Sequence, residues 1–141
     1  MIITAALLCA VSGVRADDDR PVTVSELPRK AQEFIASYFP AEKVSLAKVE
    51  RDFFERKYEV VFASSAKVEF FKDGEWKEVD CRYTAMPEGI VPLRIAEYVA
   101  DNYPSQTVVK IDRDKREYEV KLSEGLELTF DTSFNLTDID R

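Results

Sequence analysis

The 141 residues, 45% hydrophobic and 33% charged, match one ordinary globular domain or two very small ones sharing a core, which excludes disorder for most of the chain. With 27 acidic against 20 basic residues and a formal charge of −7, the surface repels phosphate backbones, so nucleic acid is excluded as a partner. No histidine occurs, which removes Ser-His and Cys-His nucleophile systems and the commonest transition-metal ligand together.

Residues 2–14 form an apolar stretch that ends in Val14-Arg15-Ala16, with small residues placed as signal peptidase requires, and Asp17-Asp18-Asp19 follows at once. This pattern predicts a signal peptide over 1–16, cleaved near Ala16, and a mature chain in the periplasm or secreted. The stretch falls short of the ~20 apolar residues that cross a bilayer, so no membrane span is expected. Leu8 stands before Cys9, where a lipoprotein carries a small residue, so lipid anchoring there is disfavoured. Cys9 leaves with the signal, and Cys81 is then a lone thiol without an internal disulfide partner.

Helical spacing follows, with Leu27, Ala31, Phe34, Ile35, Tyr38 and Phe39 on one stripe. Pro28 suits the first helical turn and Pro40 stops the helix. The period then changes to two. After a strand over residues 44–51, Tyr58, Val60 and Phe62 alternate against Glu59 and Val61, and Val68 and Phe70 against Lys67, Glu69 and Phe71. Asp73-Gly74 reads as a hairpin turn into a fourth strand over 75–80, and residues 81–85 form a joint. A second helical stripe carries Ile95, Tyr98, Val99 and Tyr103 between Pro92 and Pro104; Pro87 and Gly89 predict that this helix is broken into two pieces. Tyr118, Val120, Leu122, Leu126, Leu128 and Phe130 then face one way, while Glu119, Lys121, Glu127 and Thr129 face the other, with a turn at Glu124-Gly125.

The two halves resemble each other in order. Tyr38-Phe39-Pro40 recurs as Asn102-Tyr103-Pro104, Lys48-Val49-Glu50-Arg51-Asp52 as Lys110-Ile111-Asp112-Arg113-Asp114, and Tyr58-Glu59-Val60 as Tyr118-Glu119-Val120. Val68-Glu69-Phe70 recurs as Leu128-Thr129-Phe130, and Val79-Asp80 as Ile139-Asp140. The reading is a tandem repeat of a helix followed by a four-stranded antiparallel sheet, over 17–80 and 86–141. One such unit buries too little surface alone, so both are expected to share a core in one α+β body of two layers and about eight strands.

Leu27-Pro28, the helix end Tyr38-Phe39-Pro40, the string Gly74-Glu75-Trp76-Lys77-Glu78-Val79-Asp80-Cys81 and the echo Asn102-Tyr103-Pro104 resemble the PepSY-like family of exported Bacteroides-type proteins. The resemblance covers nearly the whole mature chain. It implies a fold similar to that of the beta-lactamase-inhibitor protein, and its motifs are structural in type, diagnosing fold better than activity. No motif here carries over that inhibitor's target-binding positions.

Candidate chemistry is sparse. Ser45-Leu46-Ala47-Lys48 and Ser64-Ser65-Ala66-Lys67 match the S-x-x-K string of penicillin-binding enzymes, but that motif acts on a helix and both fall in strand-like sequence without the companion strings. Asp112-Arg113-Asp114 lacks the glycine and further oxygen ligands of a calcium loop. Asn135-Leu136-Thr137 is a glycosylation sequon, without meaning in a bacterium. Nothing in the sequence marks a catalytic residue, a metal site or a cofactor. Phe71 and Trp76 fall out of phase with the core face and read either as partner anchors or, for Trp76, as a cap over the core edge. The expectation is therefore a non-enzymatic, inhibitor-like module that binds a protein or peptide of the cell envelope. Its contact surface is the charged outer face of the sheet, at Glu59, Glu69, Glu119, Lys121 and Glu127, with Phe71 and Trp76 nearby. The alternative is an envelope sensor binding a small ligand or cation between the repeats.

Overall fold

The computed structural model describes residues 18–51 and 54–141; the expected signal peptide lies outside them. Two ten-residue helices are cut by prolines at both ends. In α1 (Arg29–Tyr38) the carbonyl of Pro28 accepts from Ala31 and Gln32 N–H at 3.0 and 3.1 Å, and in α2 (Leu93–Asn102) that of Pro92 accepts from Ile95 and Ala96 at 3.0 Å each. Both prolines are thus the capping residues, one position before the first turn where the sequence placed them. Pro40 and Pro104 disfavour helical geometry in the residue before them. Phe39 (φ −131°, ψ 47°) and Tyr103 (φ −137°, ψ 59°) accordingly leave the helix. Once out, Phe39 stacks on Phe62 with ring centroids 4.7 Å apart.

Nine strands form one antiparallel sheet in strict chain order: β1 (Asp18–Pro21), β2 (Val44–Arg51), β3 (Arg56–Phe62), β4 (Lys67–Phe71), β5 (Trp76–Asp80), β6 (Val108–Arg113), β7 (Glu117–Leu122), β8 (Glu127–Asp131) and β9 (Leu136–Asp140). A helix precedes β2–β5 and another precedes β6–β9. The halves do not form separate sheets: β5 pairs directly with β6, placing Glu78 opposite Asp112, Val79 opposite Ile111 and Asp80 opposite Lys110. The ninth strand, β1, exceeds the expected eight. Its sequence, Asp18-Asp19-Arg20-Pro21, has no apolar alternation, and it exists because the edge of β2 offers it backbone partners. A second departure lies at 86–92. These residues form turns and bends, and no broken helix forms there; the short extra helical turn is instead in the first half, at Val24–Glu26.

Both helices pack on the same face. Phe34 meets Phe70 edge-on at 5.6 Å and 82°, and Tyr98 meets Phe130 at 5.5 Å and 81°. Phe62, Phe70, Phe130, Ile95, Ile111, Leu122 and Leu128 are completely enclosed, and among the described residues no polar side chain is buried. Period-two alternation turns Glu59, Lys67, Glu69, Glu78, Lys110, Asp112, Glu119, Lys121 and Glu127 to the other face, which no helix among the described residues covers.

Of the two sequence readings of Trp76, its burial agrees with the core-edge one. A register shift between Glu69 and Phe70 sets Trp76 opposite Phe70, and the buried positions of β5 become Trp76 and Val79, three apart. The bulge brings the indole into the core: Trp76 is 9% exposed, 6.5 Å from the Phe34 ring. It is a core residue, in line with the core-edge reading of the sequence. Above it the Arg113 guanidinium sits 3.9 Å from the ring centre, donates from Nε to the Trp76 carbonyl at 2.7 Å and pairs with Glu75 at 3.1 Å, so one side chain of β6 clamps the first half to the second.

Candidate functional site

The outer face of the sheet is organised by strand register. Lys48, Glu59, Glu69, Glu78, Asp112, Glu119, Thr129 and Asp138 stand directly opposite one another on successive strands from β2 to β9. Five of these in a row are carboxylates. Like charges opposed across strands destabilise a sheet, so the row requires compensation.

In the first half it is compensated by Lys48 at the head of the row and by Lys57 and Lys67 of the flanking rows. Lys67 Nζ lies 3.5, 3.7 and 3.6 Å from carboxylate oxygens of Glu59, Glu69 and Glu78. Lys48 reaches Glu50 at 3.1 Å, Asp19 at 3.3 Å and Glu59 at 3.5 Å, and Lys57 bridges Glu50 and Glu69 at 3.7 Å each. The Glu50 contact is the largest of the effects that hold Lys48 above the ordinary lysine range. Burial pulls Lys67 down, and Glu78, Glu59 and Glu69 together outweigh it and hold it raised. The side chains of Glu59 and Glu69 are only 15% and 12% exposed under this lattice, so these two predicted contact residues are already engaged within the protein.

At the join the compensation thins. Burial raises the Glu78 carboxyl, and its hydrogen bond to Asp112 raises it further, against the pull of Lys110 at 3.8 Å and Lys67. In a carboxylic acid held above its ordinary value, folding favours the protonated form; that stability is complete below the unfolded value and is lost as pH rises through the folded one. Glu78→Gln, which removes the charge, is therefore expected to raise the thermal midpoint at pH 7 and to leave it unchanged below about pH 4. Melts of both proteins at the two pH values check this, and a lower midpoint at pH 7 would show that the ionised carboxylate stabilises.

Beyond the join it fails. Among the described residues Glu117, Glu119, Glu127, Asp138 and Asp140 have no ion-pair partner, and neither has Lys121. Burial raises the Glu119 carboxyl, and Glu127, Glu117 and Asp140 add to that while Lys110 opposes it. Glu119, Lys121 and Glu127, half-buried on adjacent strands with Lys121 opposite Glu127, thus form the part of the predicted surface with charge left over.

Phe71 lies elsewhere, in an open cleft of about 890 Å³ between the two halves. Phe71 and Tyr118 contribute its apolar surface, and Arg56, Lys72, Arg113 and Lys115 stand around it among Glu55, Asp73, Glu75 and Asp114. No local pattern in the sequence marks this cleft, because its walls come from strand ends and turns far apart in the chain.

Neither S-x-x-K string lies on a helix: Ser45 to Lys48 is in β2, and Ser64 to Lys67 spans the turn into β4. Cys81 is 1% exposed, and burial, reinforced by Asp80 and Glu42, pushes its thiol up to about 11. A thiol reagent at pH 8 is expected to leave Cys81 unmodified in the folded chain and to label it fully in denaturant. Among the described residues no group of three or more Asp, Glu, Cys or His side chains is placed to hold a metal ion, and no helix is long and apolar enough to cross a membrane.

An open antiparallel sheet with two helices on one face and a charged opposite face defines a class of small α+β module. The chain belongs to the PepSY-like family, described as "putative beta-lactamase-inhibitor-like", whose sequence profile matches residues 56–138. No catalytic family is indicated. Among solved structures it is similar to a "putative calcium-regulated periplasmic protein" of Bacteroides thetaiotaomicron, with 52% identity and a TM-score of 0.86 over 88% of this chain and 98% of that one. A "putative periplasmic protein from DUF2874 family" of Bacteroides vulgatus is similar at 51% identity and a TM-score of 0.86, over 90% and 100% of the two chains. A further "putative periplasmic protein of unknown function" of Bacteroides vulgatus matches at 34% identity and a TM-score of 0.82, over 89% and 99% of the two chains. Among curated proteins none matches significantly.

Proposed function

We propose that this protein is a non-enzymatic periplasmic binding or inhibitor-like module that holds a protein or peptide partner on the outer face of its sheet. The observation that carries the reading is the uneven neutralisation of that face. Three lysines balance the carboxylates of β2–β4, whereas Glu119, Lys121 and Glu127 have no ion-pair partner among the described residues, on a face that no described helix covers. Unsatisfied charge on a rigid sheet steers and selects an oppositely patterned partner. The description of the similar structures as periplasmic supports the location; the leader over 1–16, removed after Ala16, is part of the proposal.

The architecture is read as two copies of one unit, 17–80 and 86–141, forming a single domain. Three pairs of features support this: the edge-on aromatic contacts at 5.6 and 5.5 Å, the proline-capped helices, and bulges at the same place in β2 and β6. Capture from envelope extract tests the face. The doubly reversed Glu119→Lys/Glu127→Lys chain should lose the partner that the native chain retains, while Glu33→Lys on the helix side keeps it; equal capture by all three would refute the assignment.

A second reading, a sensor for a small ligand or cation between the halves, is favoured by the cleft around Phe71 and Tyr118 and by the calcium-regulated description of one similar structure. Thermal-shift titration with calcium, peptides and glycans separates the two, because a ligand of the folded state raises the midpoint by mass action.

A further inference from the structure

The same position is treated oppositely in the two halves. Val79 of β5 and Ile139 of β9 each stand opposite a completely buried residue of the preceding strand, Val68 and Leu128. Val79 is itself completely buried, whereas Ile139 is 46% exposed. The difference is the neighbour: β5 has β6 on its far side, and among the described residues β9 pairs only with β8. At the other end of the sheet the edge of β2 is covered by β1, which closes with Pro21, a residue without an N–H. β9 therefore presents an uncovered row of backbone donors and acceptors with an apolar side chain on one face and Asp138 and Asp140 on the other.

We propose that the free edge of β9 takes up an extended segment of another protein as a tenth, antiparallel strand, and that this segment alternates basic and apolar residues. The reading goes beyond a partner on the face of the sheet, since it concerns the edge and its backbone. The chain contains the template for the recognition. On the edge of β5, Glu78-Val79-Asp80 receives Lys110-Ile111-Asp112, with Ile111 closing over Val79 and Lys110 opposite Asp80. Asp138-Ile139-Asp140 offers the same alternation, so the incoming strand carries an apolar residue opposite Ile139 and a basic one opposite Asp140.

Charge decides what the second basic position should be. Opposite Glu78 the template has Asp112, an acid facing an acid. Around β9, Glu127 stands opposite Asp140, and Asp138, Asp140, Glu119 and Glu127 share no ion pair among the described residues. A second lysine opposite Asp138 relieves this excess. The same excess opposes a second copy of this chain: two β9 edges paired antiparallel would bring aspartates together.

The test is fluorescence anisotropy of labelled synthetic peptides against the full chain. A peptide with the sequence of residues 107–114 carrying Asp112→Lys is expected to bind saturably, at least tenfold more tightly than the same peptide with Lys110→Glu. Binding should fall at least tenfold for the chain bearing Ile139→Lys, an exposed position whose variant is confirmed folded by its thermal melt, and should persist in Glu33→Lys. Equal binding of both peptides, or binding indifferent to Ile139→Lys, overturns the proposal. So does a concentration-dependent dimer that Ile139→Lys abolishes, because a second copy would then occupy the edge. Loss of envelope partners from the Glu119→Lys/Glu127→Lys chain is read out separately, so each assignment fails on its own.

Discussion

Phe130→Ala, a change in the second half, is expected to lower the stability of the whole chain by about 3–5 kcal/mol and to shift the signal of Trp76 in the first half by the same amount. The magnitude follows from removing a completely buried ring that packs edge-on against Tyr98 at 5.5 Å, which costs the transfer energy of the ring and leaves a cavity behind. The propagation follows from the sheet. β5 and β6 exchange backbone hydrogen bonds, Val79 and Ile111 are both completely enclosed at the join, and Arg113 reaches across to the backbone and ring of Trp76. Loss of β6 would expose Val79 and Trp76 together, so the first half is expected to unfold with it. The chain has one tryptophan, so indole fluorescence reports the first half alone, and far-ultraviolet circular dichroism reports both. Denaturation of the variant followed by the two signals should give one coincident transition. A fluorescence transition left at the native midpoint would show two independently folding halves.

Gly74→Ala is the second large effect, expected to cost about 2–4 kcal/mol, against about 1 kcal/mol for Gly125→Ala. Both glycines have positive φ, +93° and +98°, where a side chain is strained. They differ in their surroundings. A Cβ on Gly74 would stand 2.9 Å from Pro28 Cβ, 3.0 Å from Lys30 Cβ and 3.1 Å from the Ala31 backbone nitrogen, whereas one on Gly125 meets nothing within 4 Å. The turn from β4 to β5 is thus pressed against the first turn of α1, and the contact is with backbone and Cβ atoms that have no rotamer to escape into. Urea denaturation of the two variants side by side checks the difference; equal losses would mean that α1 moves aside at little cost.

Both results bear on what the sequence reveals. The helices and most of the strands are legible because proline and glycine punctuate them and because each buries one side. Pro40 and Pro104 stop the helices by a local clash, and the alternation from Tyr118 to Leu122 reports a sheet with one covered face. β1 is not legible, since four residues without alternation become a strand only when β2 supplies an edge. Trp76 is left between two readings for a related reason: strict alternation assigns it to the outer face, and a bulge set by the partner strand turns it inward to the core edge. The predicted second piece of helix at 86–92 fails because Pro87 and Gly89 open a turn and leave no run long enough to nucleate.

The candidate surface is legible only as a list of charges. Which carboxylates are neutralised depends on cross-strand register, and no local pattern places Glu78 beside Asp112 or sets Lys67 among Glu59, Glu69 and Glu78. Hence Glu59 and Glu69, alike in sequence to Glu119 and Glu127, differ from them in what they have left to offer a partner. Residue type is local, and residual charge is a property of the assembled sheet.

The most direct test of the outer face as the partner surface is site-specific photo-crosslinking of the full chain in envelope extract. A benzophenone side chain is placed singly at Lys121, Glu127 and Thr129 on the sheet face, and at Glu33 and Glu97 on the helices. The account predicts one discrete adduct, shared by the three sheet positions and absent from both helix positions. The same adduct from Glu33 or Glu97, with none from the sheet positions, would place the partner on the helical side and contradict it.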